Sequence, residues 1–208
     1  MTPLYLSKIE IDYDTAHLAD LRDSYAWHQK IWLAFPGRED KEREFLTRLD
    51  ESPEGFRLLL LSKVKPSRPS WCPEPAWNSQ QVPDDFLKHQ TYRFSLLANP
   101  TKKVKSAPDG TLLKNSRRVP LVQREDLLNW LERKATAAGF EVDLPQVRTI
   151  PRPRMSFIKK GKAGHHAATE FLGTLTVIKP ADFEEAVANG IGPAKAFGFG
   201  MLCLTPVH

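Results

Sequence analysis

The pattern of apolar and polar positions divides the first half of the chain into short elements. Residues 4–12 alternate between apolar and polar side chains, which predicts a strand, and the apolar run at residues 56–64 predicts a buried strand. Residues 40–49 are rich in charge and are predicted to form a helix. Residues 66–83 are rich in proline and are predicted to form an irregular connection on the surface.

Two further helices are predicted between these strands from their start signals. Asp14 or Thr15 can cap a short helix, because both residue types accept hydrogen bonds from backbone N–H groups. Asp23, followed by a serine, can cap a second helix that runs from residue 25 to about residue 35, where a Pro-Gly pair ends it.

The second half repeats an alternation of strands and helices. Its predicted strands are largely apolar, and its predicted helices carry one apolar face. The predicted elements are a strand at residues 92–98, a basic loop or hairpin at 99–119, a helix at 124–138, a basic strand pair at 147–158 and 168–178, a helix at 180–190 and a strand at 199–204.

The order of these elements predicts the fold class. From residue 91 onward the order is β-α-β-β-α-β, which is the ferredoxin-like plan. The preceding residues have the pattern of a degraded copy of the same plan. We therefore predict an α+β protein with two tandem ferredoxin-like (RRM-like) domains, at residues 1–90 and 91–208.

Charge is distributed unevenly along the chain. The 208 residues include 30 Lys and Arg against 25 Asp and Glu, which gives a formal net charge of +5. The acids gather at residues 39–54, whereas residues 148–162 carry basic side chains and no acid. An acid-free basic segment favours a polyanionic partner, above all nucleic acid.

No metal, cofactor or membrane role is predicted. Cys72 and Cys203 are far apart in the sequence and form no Cys-x-x-Cys pair. None of the six histidines lies four residues from another, which is the spacing of a helical metal pair. The apolar run at residues 58–61 is too short to span a bilayer, and no targeting segment is recognised. We expect a cytoplasmic protein.

A glycine-rich segment follows the last predicted helix. Residues 190–200 read GIGPAKAFGFG, with Lys195 as the charged side chain. Backbone N–H groups and one lysine can cradle a phosphate, but a tight structural turn requires the same glycines. The segment matches neither the nucleotide P-loop nor the dinucleotide-binding fingerprint, so both interpretations stay open.

Four segments together resemble the CasE family of CRISPR repeat-RNA endoribonucleases. They are residues 23–28 (DSYAWH), 92–103 (YRFSLLANPTKK), 130–134 (WLERK) and the terminal GIGPAKAFGFG. They occur in the family's order and cover nearly the whole chain. The resemblance implies tandem ferredoxin-like domains and a Cascade subunit that cuts precursor RNA at its stem-loop repeats. It also implies contacts with other Cascade subunits, and the free protein is expected to be a monomer or weak dimer.

Tyr25 and His28 are the candidate catalytic residues. They lie three residues apart and share one face of the predicted helix, where periodicity alone would also fit a packed core histidine. The family's active-site histidine and tyrosine match these two positions. The resemblance implies that His28 transfers a proton during metal-free RNA cleavage, which leaves a 2′,3′-cyclic phosphate and a 5′-OH. Tyr25 would position the 2′-OH or the phosphate, because a tyrosine pKa near 10 makes it a poor base.

Two basic segments and the glycine-rich segment are candidate RNA-binding regions. The basic strand pair is expected to lie along the phosphates of the repeat's stem, because the major groove of A-form RNA is deep and narrow. A solvated face is the alternative for the strand pair, and a flexible surface for residues 99–119. The candidate RNA-binding residues are Lys102, Lys103, Arg148, Arg152, Arg154, Lys159, Lys160, Lys162, Gly192, Lys195, Gly198 and Gly200.

Two other functions are compatible with the sequence. The chain could be a non-catalytic RNA-binding subunit of a ribonucleoprotein complex, or an unrelated ferredoxin-like metabolic enzyme that holds a phosphorylated ligand in the glycine-rich segment. The Tyr25–His28 pair argues against the first, because a binding module does not need it. The long acid-free basic segment argues against the second, because a small phosphate does not require so many cations.

Overall fold

Two large antiparallel sheets with flanking helices, and a separate two-stranded sheet, make up the described part of the protein. The computed structural model of the chain describes residues 2–38, 41–106, 111–159 and 161–207. The strands and helices in chain order are β1 (Tyr5–Ile11), α1 (Tyr13–Leu18), α2 (Ser24–Ile31), β2 (Phe45–Ser52), β3 (Gly55–Ser62), β4 (Trp77–Gln81), β5 (Thr91–Ala98), β6 (Thr101–Ser106), β7 (Leu112–Pro120), α3 (Arg124–Ala137), β8 (Phe140–Val142), β9 (Arg148–Lys159), β10 (Lys162–Val177), α4 (Pro180–Asn189) and β11 (Leu202–Pro206).

Both sheets have the same strand order, which confirms the tandem ferredoxin-like fold. The first sheet runs β2-β3-β1-β4, and the second runs β8-β10-β5-β11, with β9 paired to β10 outside this order. When β6, β7 and β9 are left aside, each half has four strands, and each sheet places its second, third, first and fourth strand side by side. In the second sheet α3 and α4 supply the two connecting helices. In the first sheet residues 63–76, which include a single 3-10 turn at Glu74–Ala76, replace the second helix.

Two hairpins extend the second half beyond this plan. Strand β9 pairs along β10 and forms a long hairpin with it, which we call the basic hairpin. Strands β6 and β7 pair with each other in a separate two-stranded sheet, so the basic segment at residues 99–119 forms a hairpin rather than a loop. The Asp-Gly pair at residues 109 and 110 predicts the turn of this hairpin, but both residues lie outside the described part of the chain.

The charged helix predicted at residues 40–49 is wrong, because residues 45–49 form the first part of β2 and residues 41–44 are not helical. Phe45 and Leu49 face α2, while Leu46 packs towards the second sheet. A strand that is covered on both faces lacks the alternation of polarity by which an exposed strand is recognised. The run of charged residues before Phe45 is typical of an exposed helix, which is why the segment was predicted as helical.

Two smaller predictions near the sheets are also corrected. Asp12, rather than Asp14 or Thr15, caps α1, since its carboxylate accepts a hydrogen bond from the Thr15 N–H at 2.8 Å. The proline-rich connection contains β4, which pairs with β1 over Trp77–Gln81. Strand β8 was not predicted, because its three residues are too few to show a period.

The two halves are joined by a shared apolar core. One cluster fills the space between the first sheet and α2, with Ile9, Leu60 and Ile31 inaccessible to solvent. A second cluster joins Leu46 and Leu61 on the other face of the first sheet to side chains from α3, α4 and the second sheet. None of the helices in the described part of the chain is long and apolar enough to cross a membrane.

A buried group of charges crosses the contact between the two sheets. Arg48 on β2 donates to Glu170 on β10 at 2.7 Å, and the exposed fractions of the two side chains are only 8% and 5%. Asp50 pairs with Arg48 at 3.0 Å, Ser95 donates to Glu170 at 2.7 Å, and Arg152 donates its Nε–H to Glu170 at 2.9 Å. Burial by itself would raise the pKa of Glu170, but these donors lower it to about 2.

Candidate active site and nucleic-acid interface

Helix α2 carries the candidate catalytic pair at its start. Asp23 caps the helix as predicted, because its Oδ1 accepts hydrogen bonds from the N–H groups of Tyr25 and Ala26 at 2.9 and 2.8 Å. Helix α1 ends at Leu18, so the two helices are separate and the chain turns before Tyr25. Tyr25 and His28 are both half-buried, which places them at the edge of the protein rather than in its interior.

The His28 ring lies among aromatic side chains of the first half. The indole Nε1–H of Trp32 donates to His28 Nε2 at 3.4 Å, and the ring centroid of Phe45 lies 5.7 Å from that of His28. Because an indole N–H can only donate, Nε2 of His28 is an acceptor in this contact. The imidazole is thus oriented by Trp32, which directly follows α2, and by Phe45 on β2, while it remains partly exposed.

An aromatic cluster connects Tyr25 to the second half. The rings of Tyr25 and Phe197 lie 6.3 Å apart, and Phe197 lies 4.5 Å from Phe157 of the basic hairpin. His166 stacks on Phe157 at 4.9 Å and approaches Phe197 at 4.7 Å. Burial, followed by the nearby charge of His165, lowers the pKa of His166. The cluster brings α2, the basic hairpin and the glycine-rich segment together.

The start of α2 also contacts the basic hairpin through hydrogen bonds. Oδ2 of Asp23 accepts from the N–H of Ile158 on β9 at 2.8 Å. The hydroxyl of Ser24 donates to the carbonyl oxygen of Ser156 at 3.3 Å. The candidate catalytic helix and the predicted RNA-binding hairpin are therefore in direct contact.

The predicted RNA-binding residues of the basic hairpin have different surroundings. Arg148, Arg154 and Lys162 are exposed, and Arg154 lies 3.4 Å from the ring of His165. Arg152 is about half exposed but pairs with the buried Glu170, so part of its guanidinium already has a protein partner. Lys159 is the last residue of β9, and Lys160 lies outside the described residues.

Lys102 and Lys103 lie on the separate hairpin of β6 and β7. Both side chains are exposed, and Lys103 pairs in register with Arg118 across the hairpin. Arg118 in turn donates to the hydroxyl of Thr101 at 3.3 Å. This hairpin presents a second basic surface that is distinct from β9 and β10.

The glycine-rich segment folds back against its own chain. Gly200 has φ +87°, and a Cβ there would lie 2.6 Å from the carbonyl oxygen of Ile191. Gly198 has φ +86°, and a Cβ there would lie 3.8 Å from Met155 of the basic hairpin, so its backbone conformation and not a lack of space favours glycine. Gly192 sits against the ring of Trp130 on α3. These glycines are required by backbone geometry and close packing, whether or not RNA also contacts them.

Lys195 lies in a short 3-10 turn within this segment, beside a surface cleft that it shares with Lys134. Burial is the main cause that lowers the pKa of Lys195, and the positive charges of Arg43 and Lys134 lower it further. Several cations therefore meet near the glycine-rich segment, which suits an anionic group. Arg43 and Lys134 were not predicted as neighbours of Lys195, because neither lies close to it in the sequence.

The long-range contacts that join α2 to the basic hairpin and β2 to β10 were not predicted from the sequence. The hydrogen bond from Ile158 to Asp23 and the pairing of Arg48 with Glu170 join residues more than 100 positions apart. The sequence does set Glu170 apart, since residues 144–181 contain no other acid, but it does not indicate which residue is its partner. Within the described residues, no group of three or more His, Cys, Asp and Glu side chains is arranged to hold a metal ion.

Known proteins of similar length resemble this chain over almost its whole sequence. A family model described as "CRISPR associated protein" matches residues 4–206. The CRISPR system Cascade subunit CasE of Escherichia coli K12 is 32% identical, over 98% of this chain and all of that protein.

Solved structures show the same fold over the same length. The crystal structure of Cas6e from Escherichia coli K-12 superimposes with a TM-score of 0.74 at 29% identity, and covers 98% of this chain and all of that one. A structure of the CRISPR endoribonuclease Cse3 bound to a 19-nucleotide RNA superimposes with a TM-score of 0.79 at 26% identity, with the same coverage.

Proposed function

This chain belongs to the family of CRISPR-associated proteins, and from that membership we propose that it is a site-specific endoribonuclease. It cuts CRISPR precursor RNA at its stem-loop repeats and stays bound to the mature guide RNA as a Cascade subunit. The names of its relatives, a Cascade subunit and an endoribonuclease bound to RNA, support this function. The observation that carries the proposal is the pair Tyr25 and His28 on a capped helix that touches the basic hairpin.

The reaction requires two proton transfers and no external nucleophile. The ribose 2′-OH attacks the neighbouring phosphorus and loses its proton, while the 5′-oxygen of the next nucleotide leaves and gains one. The products are a 2′,3′-cyclic phosphate and a 5′-OH. Because the nucleophile belongs to the RNA itself, correct positioning and proton transfer can account for the rate, and a metal ion is not required.

His28 carries out one of the two proton transfers. His28 is half-buried at the edge of the protein. Imidazole suits proton transfer at neutral pH, because the unperturbed pKa of histidine is near 6.5. Trp32 and Phe45 fix the plane of the ring, so that it does not have to be ordered during the reaction. Tyr25, one helical turn earlier, positions the 2′-OH or the phosphate through its hydroxyl group.

The RNA stem lies along the basic hairpin. Arg148, Arg154 and Lys162 are exposed there and suit the phosphates of an A-form helix. Arg152 adds a partly neutralised guanidinium to this surface. Lys159 and Lys160 are proposed RNA-binding residues from the sequence alone. Lys102 and Lys103 on the second hairpin form a further phosphate contact.

The glycine-rich segment contacts the RNA near the site of cleavage. Lys195 supplies the charge, and its proximity to Arg43 and Lys134 supports a phosphate at this position. Gly192, Gly198 and Gly200 hold the backbone in the conformation that presents Lys195. The segment lies close to the catalytic pair through the contact of Phe197 with Tyr25.

We further propose how these parts are divided along the chain. The first domain, residues 1–90, carries the catalytic pair, and the second, residues 91–208, carries the basic hairpin and the glycine-rich segment. The free protein is a cytoplasmic monomer or weak dimer that joins other Cascade subunits. The shared apolar core supports a fixed arrangement of the two domains.

The test is cleavage of a labelled repeat stem-loop RNA from the same genome in the presence of EDTA. Wild-type protein should cut at one position and leave a 2′,3′-cyclic phosphate, and His28→Ala should bind the RNA without cutting it. His17→Ala is the matched control, because His17 is an exposed histidine on the neighbouring helix α1, and it should cut normally.

Two results would overturn the assignment in different ways. If wild type and His28→Ala both bind the RNA and neither cuts it, the protein is a non-catalytic RNA-binding subunit and His28 is a packed aromatic neighbour of Trp32. If neither protein binds any stem-loop RNA, the proposed substrate is wrong.

A further inference from the structure

The two carboxylate oxygens of Asp23 serve two different elements. Oδ1 caps α2 by accepting from the N–H groups of Tyr25 and Ala26 at 2.9 and 2.8 Å. Oδ2 accepts from the N–H of Ile158 on β9 at 2.8 Å, across 135 positions of sequence. A helix cap needs only the first oxygen, so the second contact requires a separate explanation.

The second contact lies on an open strand edge of the basic hairpin. Within the described residues β9 pairs with β10 on one side only, so the N–H and C=O groups on its other side face outwards. Asp23 accepts from the N–H of Ile158, and Ser24 donates to the C=O of Ser156, two positions earlier on β9. The first residues of α2 therefore occupy the place that a neighbouring strand would take.

Aromatic packing strengthens the same junction. Phe157 lies between these two β9 residues in sequence, and its ring contacts Phe197, which in turn contacts Tyr25. Gly164 makes room for the Phe157 ring, because a Cβ at position 164 would lie 2.5 Å from it. Hydrogen bonds and ring contacts thus hold the hairpin against the turn of α2 that carries Tyr25.

We propose that Asp23 is a positioning residue that couples the basic hairpin to the catalytic helix. RNA held by Arg154 and Lys162 fixes the hairpin, and Oδ2 of Asp23 transmits that position to Tyr25 and His28. The inference rests on the proposed function, since it concerns how the bound RNA is aligned with the catalytic pair. Asp23 itself does not touch the reacting atoms.

Three substitutions separate the cap from the coupling. Asp23→Asn and Asp23→Ser both retain an oxygen that can cap α2, but neither offers a second acceptor to the Ile158 N–H. Asp23→Ala removes both contacts. The matched control is Asp12→Asn, since Asp12 caps α1 and accepts its hydrogen bond from Thr15, three residues away on the same helix.

Single-turnover cleavage and RNA affinity are then measured for each variant. All three Asp23 variants should cut about 10- to 100-fold more slowly, because small displacements of a catalytic group cost rate, while RNA affinity is unchanged. Asp12→Asn should cut like wild type. If Asp23→Asn cuts at the wild-type rate and only Asp23→Ala is slow, capping explains the role of Asp23 and the coupling is refuted.

The pH dependence of the cleavage rate distinguishes loss of positioning from a simple effect of the Asp23 charge on His28. Removing the negative charge of Asp23 could lower the pKa of His28, which would move the pH at which the rate is half-maximal. Loss of positioning instead lowers the rate at every pH and leaves that midpoint in place. A shifted midpoint with an unchanged maximal rate would therefore contradict the proposal.

Hydrogen exchange of the Ile158 amide gives a readout that does not depend on cleavage. It should exchange slowly in wild type and in Asp12→Asn, and much faster in Asp23→Asn and Asp23→Ser. An equally protected amide in all four proteins would overturn the contact itself. If wild type fails to cut RNA but the exchange result holds, the proposed function fails and the junction stands.

Discussion

Neutralising Glu170 is expected to weaken the contact between the two sheets. Its carboxylate is 5% exposed and accepts from Arg48, Ser95 and Arg152. Those donors outweigh burial and lower its pKa from 4.5 to about 2. A shift of that size corresponds to about 3 kcal/mol of stability at neutral pH, and breaking a buried ion pair costs a similar amount.

The substitution Glu170→Gln should reduce the free energy of unfolding by about 2–3 kcal/mol. The lower part of this range applies because Asp50 still neutralises Arg48 after the change. The assay is urea unfolding at pH 7, in which tryptophan fluorescence monitors the fraction of unfolded protein. Glu141→Gln is the control, since Glu141 is an exposed glutamate in the same sheet and should change little.

The pH dependence of the same quantity provides a second check. The lowered pKa of Glu170 means that its contribution is fully present above about pH 4.5 and is lost as the pH falls towards about 2. Glu170→Gln should therefore lose less stability than wild type over that interval. The double variant Arg48→Met/Glu170→Gln should lose less stability than the sum of the two single losses, because both single variants break the same ion pair.

Two results would refute this reasoning. A loss of less than about 1 kcal/mol in Glu170→Gln would place the ion pair among weakly contributing surface pairs. A double variant that loses the sum of the two single losses would show that Arg48 and Glu170 act independently.

Three further predictions concern the hairpin, the glycine-rich segment and the aromatic cluster. Arg154→Ala and Lys162→Ala should each weaken binding of the repeat RNA and reduce the slope of log affinity against log salt by about 1, measured by titration at several salt concentrations. Gly200→Ala should lower the free energy of unfolding by more than about 2 kcal/mol, because φ at this position is +87° and the new Cβ would lie 2.6 Å from a backbone oxygen. Gly37→Ala is the control in the same urea assay and should lose about 1 kcal/mol, because Gly37 has φ +76° but open space around it. Burial lowers the pKa of His166 from 6.5, so the unfolded chain binds the proton at a higher pH than the folded chain does. The free energy of unfolding should therefore decrease as the pH falls below about 6.5. Thermal unfolding at several pH values should show a smaller decrease for His166→Phe.

The elements that sequence predicts well are those with local signals. Helix α2 begins where Asp23 predicted it, because a cap acts over three residues and leaves its mark in the sequence. Periodicity and glycine positions also predicted β5, α3, β9, β10, α4 and β11, whereas β8 is too short to show a period. Strand β2 was not predicted, because burial on both faces removes the alternation that marks a strand.

The parts of the site that sequence could not predict depend on distant contacts. Nothing near Glu170 indicates that Arg48, 122 positions away, is its partner. In the same way, the cap at Asp23 was visible, but the use of its second oxygen by Ile158 depends on where the hairpin folds. The glycines at 192, 198 and 200 remained ambiguous because a tight turn and a phosphate cradle require the same residue.

Replacement of a single 2′-OH in the RNA tests the proposed chemistry most directly. Once the cut position is mapped, a repeat stem-loop with 2′-deoxyribose on the 5′ side of that position is compared with the unmodified RNA in EDTA. The proposed mechanism predicts that the modified RNA binds with the same affinity and is not cut, because it lacks the nucleophile. Cutting of the modified RNA at the same position would show that water or another group attacks the phosphate, and would contradict the mechanism.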